Sequence, residues 1–255
     1  IKEGDNLQEK IDEAILKSSK LVIKKGLYET TPLFIKGALT LEFEEGATLL
    51  ATTNEALYQN IKTRVAGIEM EWYPALLNVI GTSNVTIKGQ GILDGNGPYW
   101  WNKYWGLDMK GGYRKIYDEK GLRFAADYDC KRPRNLLVQN SSNVKIYDIT
   151  STSSGFWNIH ILYSNDILIE NVKIKSEAIN SPSTDGIDID SSYNVVVNKV
   201  ETNCNDDSVC IKSGRDFDGI RVGRPSHDIT ISNSIINKGF GVTIGSEISG
   251  GVYNV

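Results

Sequence analysis

Two short segments crowd carboxylates together. "STDGIDIDSS", residues 183–192, sets Asp185, Asp188 and Asp190 around Ile187 and Ile189; "NCNDDSVCIKSGRD", residues 203–216, places Asp206 beside Asp207, with Lys212 and Arg215 shortly after. Carboxylates gathered in one cleft repel, so at least one holds its proton more tightly than usual and the set titrates as a unit. That arrangement suits hydrolysis, in which a carboxylic acid protonates the leaving oxygen while a carboxylate activates water. Structural ion networks perturb carboxylates in the same way, so the residue types alone leave catalysis and structure both open.

The carboxylates are not equivalent. Strand alternation turns Ile187 and Ile189 inward and Asp188 and Asp190 outward. Those two are expected to be solvated, with Asp188 the better placed to touch a substrate. The same alternation would drive Asp185 inward with Ile187, where an unpaired carboxylate is costly. Gly186 supplies a break that can re-aim it, which singles out Asp185.

The elements that must position these groups read as a repeat. An Asn or Asp followed by an alternating strand recurs in "SNVTIKG", "SNVKIYD", "NDILIEN", "YNVVVNK" and "HDITISN", and again in the final "YNV". The first apolar residues of these units are Val85, Val144, Ile167, Val195, Ile229 and Val255, at gaps of 59, 23, 28, 34 and 26. All but the first gap suit single coils of a strand solenoid, and the hairpin turns that a β-propeller needs are scarce. Each later coil carries a second apolar pair: Ile159 and Ile161, Ile187 and Ile189, Val209 and Ile211, Val242 and Ile244. If these pairs stack, so do the residues two places ahead of them, Trp157, Asp185, Asp207 and Phe240. Adjacent strands lie ~4.8 Å apart, so Asp185 and Asp207 would face each other between aromatic neighbours.

One helical pattern precedes the strands, in "NLQEKIDEAILKSSK", where Leu7, Ile11, Ala14, Ile15 and Leu16 cluster and Asp5 or Asn6 can cap the start. A long insertion at about 94–135 holds Trp100, Trp101 and Trp105. These rings either pack on the solenoid or form a wall on which sugars stack.

Composition narrows the field. The 255 residues are 40% hydrophobic and 24% charged, which is a folded, soluble composition with one sizeable core. A net charge of −4 without a long basic run argues against a nucleic-acid partner. No apolar run spans a membrane, and the first residues lack the apolar core of a signal peptide. Cys130, Cys204 and Cys210 have no zinc spacing and read as buried thiols.

Taken in order, "STDGIDID", "NDDSVCIKSGRD" and "GFGVTIGSE" resemble three consecutive signature segments of glycoside hydrolase family 28, the polygalacturonases and related pectin-cleaving enzymes. "GLYETTPLFIKGALTLEFEEGATLLAT", "GQGILDGNGPYWW" and "RPRNLLVQNSSNVKIYDITSTSSGFWNIH" resemble the family's earlier coils, so the likeness covers nearly the whole chain. It implies an all-β fold, a single right-handed parallel β-helix over 1–255 with a short N-terminal capping helix. It also implies inverting hydrolysis of pectic polysaccharide or oligosaccharide, with no cofactor and no metal. Asp206 would be the general acid, while Asp185 and Asp207 would position and deprotonate the water. Inverting enzymes keep acid and base ~6.5–9.5 Å apart, so Asp206 should project away from the other two.

Two departures bear on specificity. Ser183 stands where the family has Asn, and Phe240 stands where polygalacturonases have His in a Gly-His-Gly motif. An apolar ring there suits the methyl face of rhamnose, as in rhamnogalacturonan-directed branches, while "KSGRDFDGIRVGRPSHD" resembles exo-acting members. Lys212, Arg215, Arg221 and Arg224 can build a basic pocket for anionic uronates or form a solvated loop. His160 and Trp157 join the candidate substrate contacts, with a structural histidine equally open. The family's later Arg-x-Lys segment does not occur before Val255, so the chain reads as truncated at the C-terminus. An extracellular or periplasmic location follows from the family, although no signal peptide is seen. Competing readings are a calcium-dependent pectate-lyase-type β-helix and a non-catalytic carbohydrate-binding β-helix.

Overall fold

The recurring Asn or Asp turns the chain. In the computed structural model, which describes residues 4–17, 20–122, 125–176 and 179–255, Asn84, Asn143, Asp166, Asn194, Asp228 and Asn254 all adopt left-handed backbone conformations, with φ between 49° and 61°. For most side chains that geometry costs ~1–2 kcal/mol, whereas Asn and Asp enter it readily. Their side chains also bond from coil to coil: the Asn143 amide donates to Asn84 Oδ1 at 2.7 Å, Asn194 to Asp166, and Asn254 to Asp228. A second column fills the preceding turn, with the Ser141, Ser164 and Ser192 amides donating in turn to the hydroxyls of Ser164, Ser192 and Ser226.

Between such turns, the strands form three parallel sheets of eight, seven and seven strands. The first sheet pairs Val85 with Val144, Val144 with Ile167, Ile167 with Val195 and Val195 with Ile229, the alignment that the repeat predicts. A one-residue slip would turn every one of these side chains out of the coil. The interior they fill is one continuous apolar column, and the fold is a right-handed parallel β-helix. Cys130, Cys204 and Cys210 are buried free thiols.

The helix Leu7–Leu16 closes the N-terminal end, capped by Asn6, whose side chain accepts from the Glu9 amide. Leu7, Ile11 and Ala14 are buried and Ile15 packs beside them, but Leu16 is 85% exposed. Leu16 lies five residues beyond Ile11, about 140° round the helix, which takes it off the buried face. Gln8 does the capping chemistry: its amide group donates to Phe34 O at 2.9 Å and accepts from Phe34 N at 2.8 Å, occupying the open edge of strand Leu33–Ile35.

Two of the segments that interrupt the coils bear on the site. The tryptophan-bearing insertion contains helices Gly97–Trp105, Gly112–Glu119 and Ala126–Asp129, which the aromatic composition did not announce. Trp100 and Trp101 are buried, and the Trp101 indole donates to Ser154 O at 2.8 Å, so both are packing residues. The other segment is an antiparallel hairpin, Ile61–Val65 with Ile68–Trp72, which lies across the outer face of the third sheet.

Candidate active site

The third sheet aligns Ile159 with Ile187, Ile187 with Val209 and Val209 with Val242. Two places ahead of these run Trp157, Asp185, Asp207 and Phe240, in the column expected from the sequence. Backbone bonds fix the rungs: Asn158 N donates to Asp185 O and Gly186 N to Asp207 O, each at 2.8 Å. Gly186 works by having no side chain, because a Cβ there would sit 2.3 Å from Ser208 O on the neighbouring coil. Gly186→Ala must therefore push the two coils apart where Asp185 and Asp207 meet. We expect a loss of ~1–3 kcal/mol in denaturant melts and a further ~10²-fold loss of turnover from misplacement.

One oxygen from each of Asp185, Asp206 and Asp207 lies within 4.8 Å of the others. The expectation that Asp206 projects away from the pair is thus not met. Asp206 and Asp207 share one tight turn in which the Asp207 amide donates to Asp206 Oδ1 at 3.0 Å, and an oxygen of each comes within 4.8 Å of Asp185. Burial, then the neighbouring Asp207, raises Asp206 to about 6. Asp185 is also held well above the usual carboxylate range, by burial and by Asp188 and Asp206, with Lys212 opposing. A water accepting and donating at ~2.8 Å can bridge two oxygens about 5 Å apart, so Asp185 and Asp207 are near enough to hold one between them. The three are also the sole group among the described residues close enough to share a cation.

Asp188 and Asp190 correct the alternation argument. Both point out of the coil, yet both are fully buried: Arg64 of the hairpin Ile61–Trp72 covers Asp190, and Lys212 lies against Asp188. Asp190 pairs with Arg64 Nη1 at 2.9 Å and lies 3.4 Å from His160 Nε2. Burial pushes Asp190 up, but His160 and Arg64 outweigh it and hold it below its ordinary value. His160 is fully buried too, so it lines no sugar subsite. Arg134 Nη1, which can only donate, lies 2.7 Å from His160 Nδ1. The imidazole proton therefore belongs on Nε2, facing Asp190, and burial lowers the ring to about 4.

The remaining candidates separate in the same way. Lys212 is 5% exposed and faces Glu247, Asp188 and Asp185, so it is not the open cation expected for substrate. Trp157 is buried, stacked on Phe156 and lying under the Lys212 ammonium. Arg221 is paired with Glu69 and Asp218, and Arg224 lies over the Tyr163 ring. Arg215 is half-buried and donates to Tyr128 Oη at 2.5 Å. Phe240 follows Asp207 in the column, its amide donating to Asp206 O at 3.0 Å.

Three contributors were not singled out from the sequence. Asp127, from the helical insertion, accepts from Arg132 at 2.5 Å and from the Ser183 hydroxyl at 3.0 Å, and adds to the negative field on Asp206. Ser183 thus has a partner of its own in place of whatever an Asn would bond. Asp127 carries no motif, whereas Arg132 opens the "RPRNLLVQN" coil and Glu247 closes the "GFGVTIGSE" segment, so both had a signal.

Comparison with known proteins bears on this geometry. The family model described as Glycosyl hydrolases family 28 matches residues 60–255. The chain is 28% identical over 245 residues to a probable polygalacturonase of Vitis vinifera, covering 93% of this chain and 46% of that protein. It is 27% identical over 238 residues to an endo-polygalacturonase of Pectobacterium parmentieri, covering 88% and 52% respectively. A solved exopolygalacturonase from Thermotoga maritima superimposes with a TM-score of 0.80 at 30% identity, covering 97% of this chain and 61% of that one. The chain spans about half the length of the curated relatives it matches.

Proposed function

The chain belongs to glycosyl hydrolases family 28, and on that premise we propose that it carries the catalytic carboxylates of an inverting hydrolase acting on galacturonic-acid-containing pectic saccharides. The observation that carries this reading is the convergence of Asp185, Asp206 and Asp207 within 4.8 Å. Asp206, raised to about 6, keeps its proton in mildly acidic solution and delivers it to the glycosidic oxygen. Asp185 and Asp207, facing each other across adjacent coils, hold the attacking water and take its proton. The proton lost to the leaving group and the proton gained from water balance over one turnover.

Arg215 is the cation that supports uronate recognition. Among the described residues its side chain bonds only to a tyrosine hydroxyl, leaving guanidinium donors for a carboxylate. The named relatives are polygalacturonases, both endo and exo, and they favour neither the lyase nor the binding-only reading. An extracellular or periplasmic setting belongs with this proposal. Among the described residues, no helix is long and apolar enough to cross a membrane.

Phe240 favours a second reading within the same chemistry. Its ring, next after Asp207 in the column, offers an apolar surface where a deoxy sugar's methyl group would sit. Rates on homogalacturonan and rhamnogalacturonan oligosaccharides of equal length test this: faster cleavage of the rhamnose-containing series supports it, and clear preference for homogalacturonan removes it. No cleavage of either series would overturn the hydrolase proposal itself.

A further inference from the structure

Lys212 is a buried ammonium facing three carboxylates. Its Nζ lies 2.9 Å from Glu247 Oε2, 3.8 Å from Asp188 Oδ1 and 4.0 Å from Asp185 Oδ2. The Trp157 ring covers it at 5.3 Å, and Gly245 O lies at 3.5 Å. Glu247 belongs to the loop of the next coil, which is pinned by the Ser213 amide donating to Glu247 O at 2.7 Å. The hairpin tip sits directly on it, since a Cβ on Gly67 would come within 2.8 Å of Glu247 Cγ.

We propose that Glu247 and Lys212 act as a positioning pair for the reaction: Glu247 fixes the ammonium, and the ammonium aims Asp185 at the water and favours its ionised form. Lys212 is the sole cation within 4.0 Å of these three carboxylates among the described residues, with Arg134 acting on Asp188 and Arg215 on Glu247 from further off, so the site holds a proton. Asp188 is where it rests, because both Asp188 oxygens are buried and accept no hydrogen bond among the described residues, and a buried carboxylate without donors is the costliest to ionise. Burial, ahead of every neighbouring charge, holds Asp188 well above the ordinary range. Cys210, beside Lys212 on the same strand, is pushed up by burial and stays a neutral thiol donating to Gly245 O. With Asp188 and Cys210 neutral, the ammonium is shared between Glu247 and Asp185, and Asp206 feels it more weakly.

The pair acts only if Asp185 activates the water, as proposed above, and its signature is two opposite shifts. Glu247→Gln leaves the ammonium to Asp185 alone, so Asp185 ionises more easily and the acidic limb of the kcat/KM profile moves down by ~0.5 pH unit or more. Lys212→Met removes the counter-charge, so the same limb moves up and kcat falls, while Lys212→Arg moves it part of the way back. Profiles of the three variants on a defined oligogalacturonide, with melting temperatures measured in parallel, decide the matter. Unmoved limbs, or shifts in the same direction in both charge-removing variants, would overturn the proposal. If Lys212→Met does not fold, Glu247→Gln decides alone, a downward shift supporting the pair and an unmoved limb refuting it. Failure of these shifts with turnover abolished by Asp206→Asn leaves the hydrolase reading standing, whereas turnover surviving in Asp206→Asn defeats that reading first.

Discussion

Asp206→Asn is expected to lower kcat by about 10²–10⁴-fold, the range in which a positioned general acid operates, and to raise the melting temperature near pH 7. The second effect follows from linkage. Asp206 is raised from 3.8 to about 6 in the native state, so between those values the folded protein binds a proton that the unfolded chain releases. The stability Asp206 contributes is complete below about pH 4 and is lost as pH rises through about 6. At neutral pH the ionised group therefore opposes folding. One pKa unit corresponds to ~1.4 kcal/mol, so over the roughly two units between 3.8 and about 6 a neutral amide relieves on the order of 3 kcal/mol. The same raised value fixes the alkaline limb of activity, since kcat/KM must fall as Asp206 loses its proton above about 6. Paired assays and thermal melts of the wild type and Asp206→Asn check both statements. A variant with near-normal turnover, or one less stable than the wild type at pH 7, would refute the assignment.

Arg64→Ala is expected to be among the most destabilising single changes, at ~3–5 kcal/mol. Arg64 and Asp190 are both fully buried, and Arg64 Nη1 bonds Asp190 at 2.9 Å and the Ser191 hydroxyl at 2.7 Å. Its guanidinium also stacks on Tyr163, 4.8 Å from the ring centre. Truncation leaves Asp190 buried with a neutral histidine as its remaining neighbour in the pair, and breaking a buried ion pair from one side costs that much. The double variant Arg64→Ala with Asp190→Asn should recover part of the loss by removing the orphaned charge. Urea titrations at pH 7 measure both. A loss below ~1 kcal/mol, the scale of an exposed pair, would mean that the hairpin is not anchored through Arg64.

That ion pair also marks where the sequence stopped being readable. Alternation says which side chains enter the coil, and it aligned Val85 through Ile229 and the column of Trp157, Asp185, Asp207 and Phe240 correctly. It is silent on what lies against the outside of the coil. Alternation alone puts Asp188 and Asp190 in solvent because their cover is remote in sequence: Arg64, in a hairpin more than a hundred positions earlier and without a repeat signature, covers Asp190, and Lys212, on the next coil, lies against Asp188. Lys212 looked like an open cation for the same reason, since its nearest partner, Glu247, is one coil further on. The acid and the water-activating pair stand closer than the class-wide spacing for a different reason: Asp206 and Asp207 are adjacent residues whose shared turn holds both carboxylates near Asp185. The insertion hid Asp127, because aromatic content alone does not show that the segment folds into helices carrying a carboxylate to Asp206.

The crowding of the three carboxylates makes the stereochemistry of cleavage the decisive readout of the proposed mechanism. A pair of carboxyl groups ~5–5.5 Å apart is the geometry of retaining glycosidases, whereas in the proposed mechanism Asp185 and Asp207 share a water and form no bond to the sugar. Proton NMR of the first sugar released from a defined oligogalacturonide, recorded before mutarotation, separates the two. Direct attack by that water yields an initial product whose anomeric configuration is opposite to that of the linkage cleaved. An initial product of the same configuration, or an unsaturated one, would contradict the mechanism.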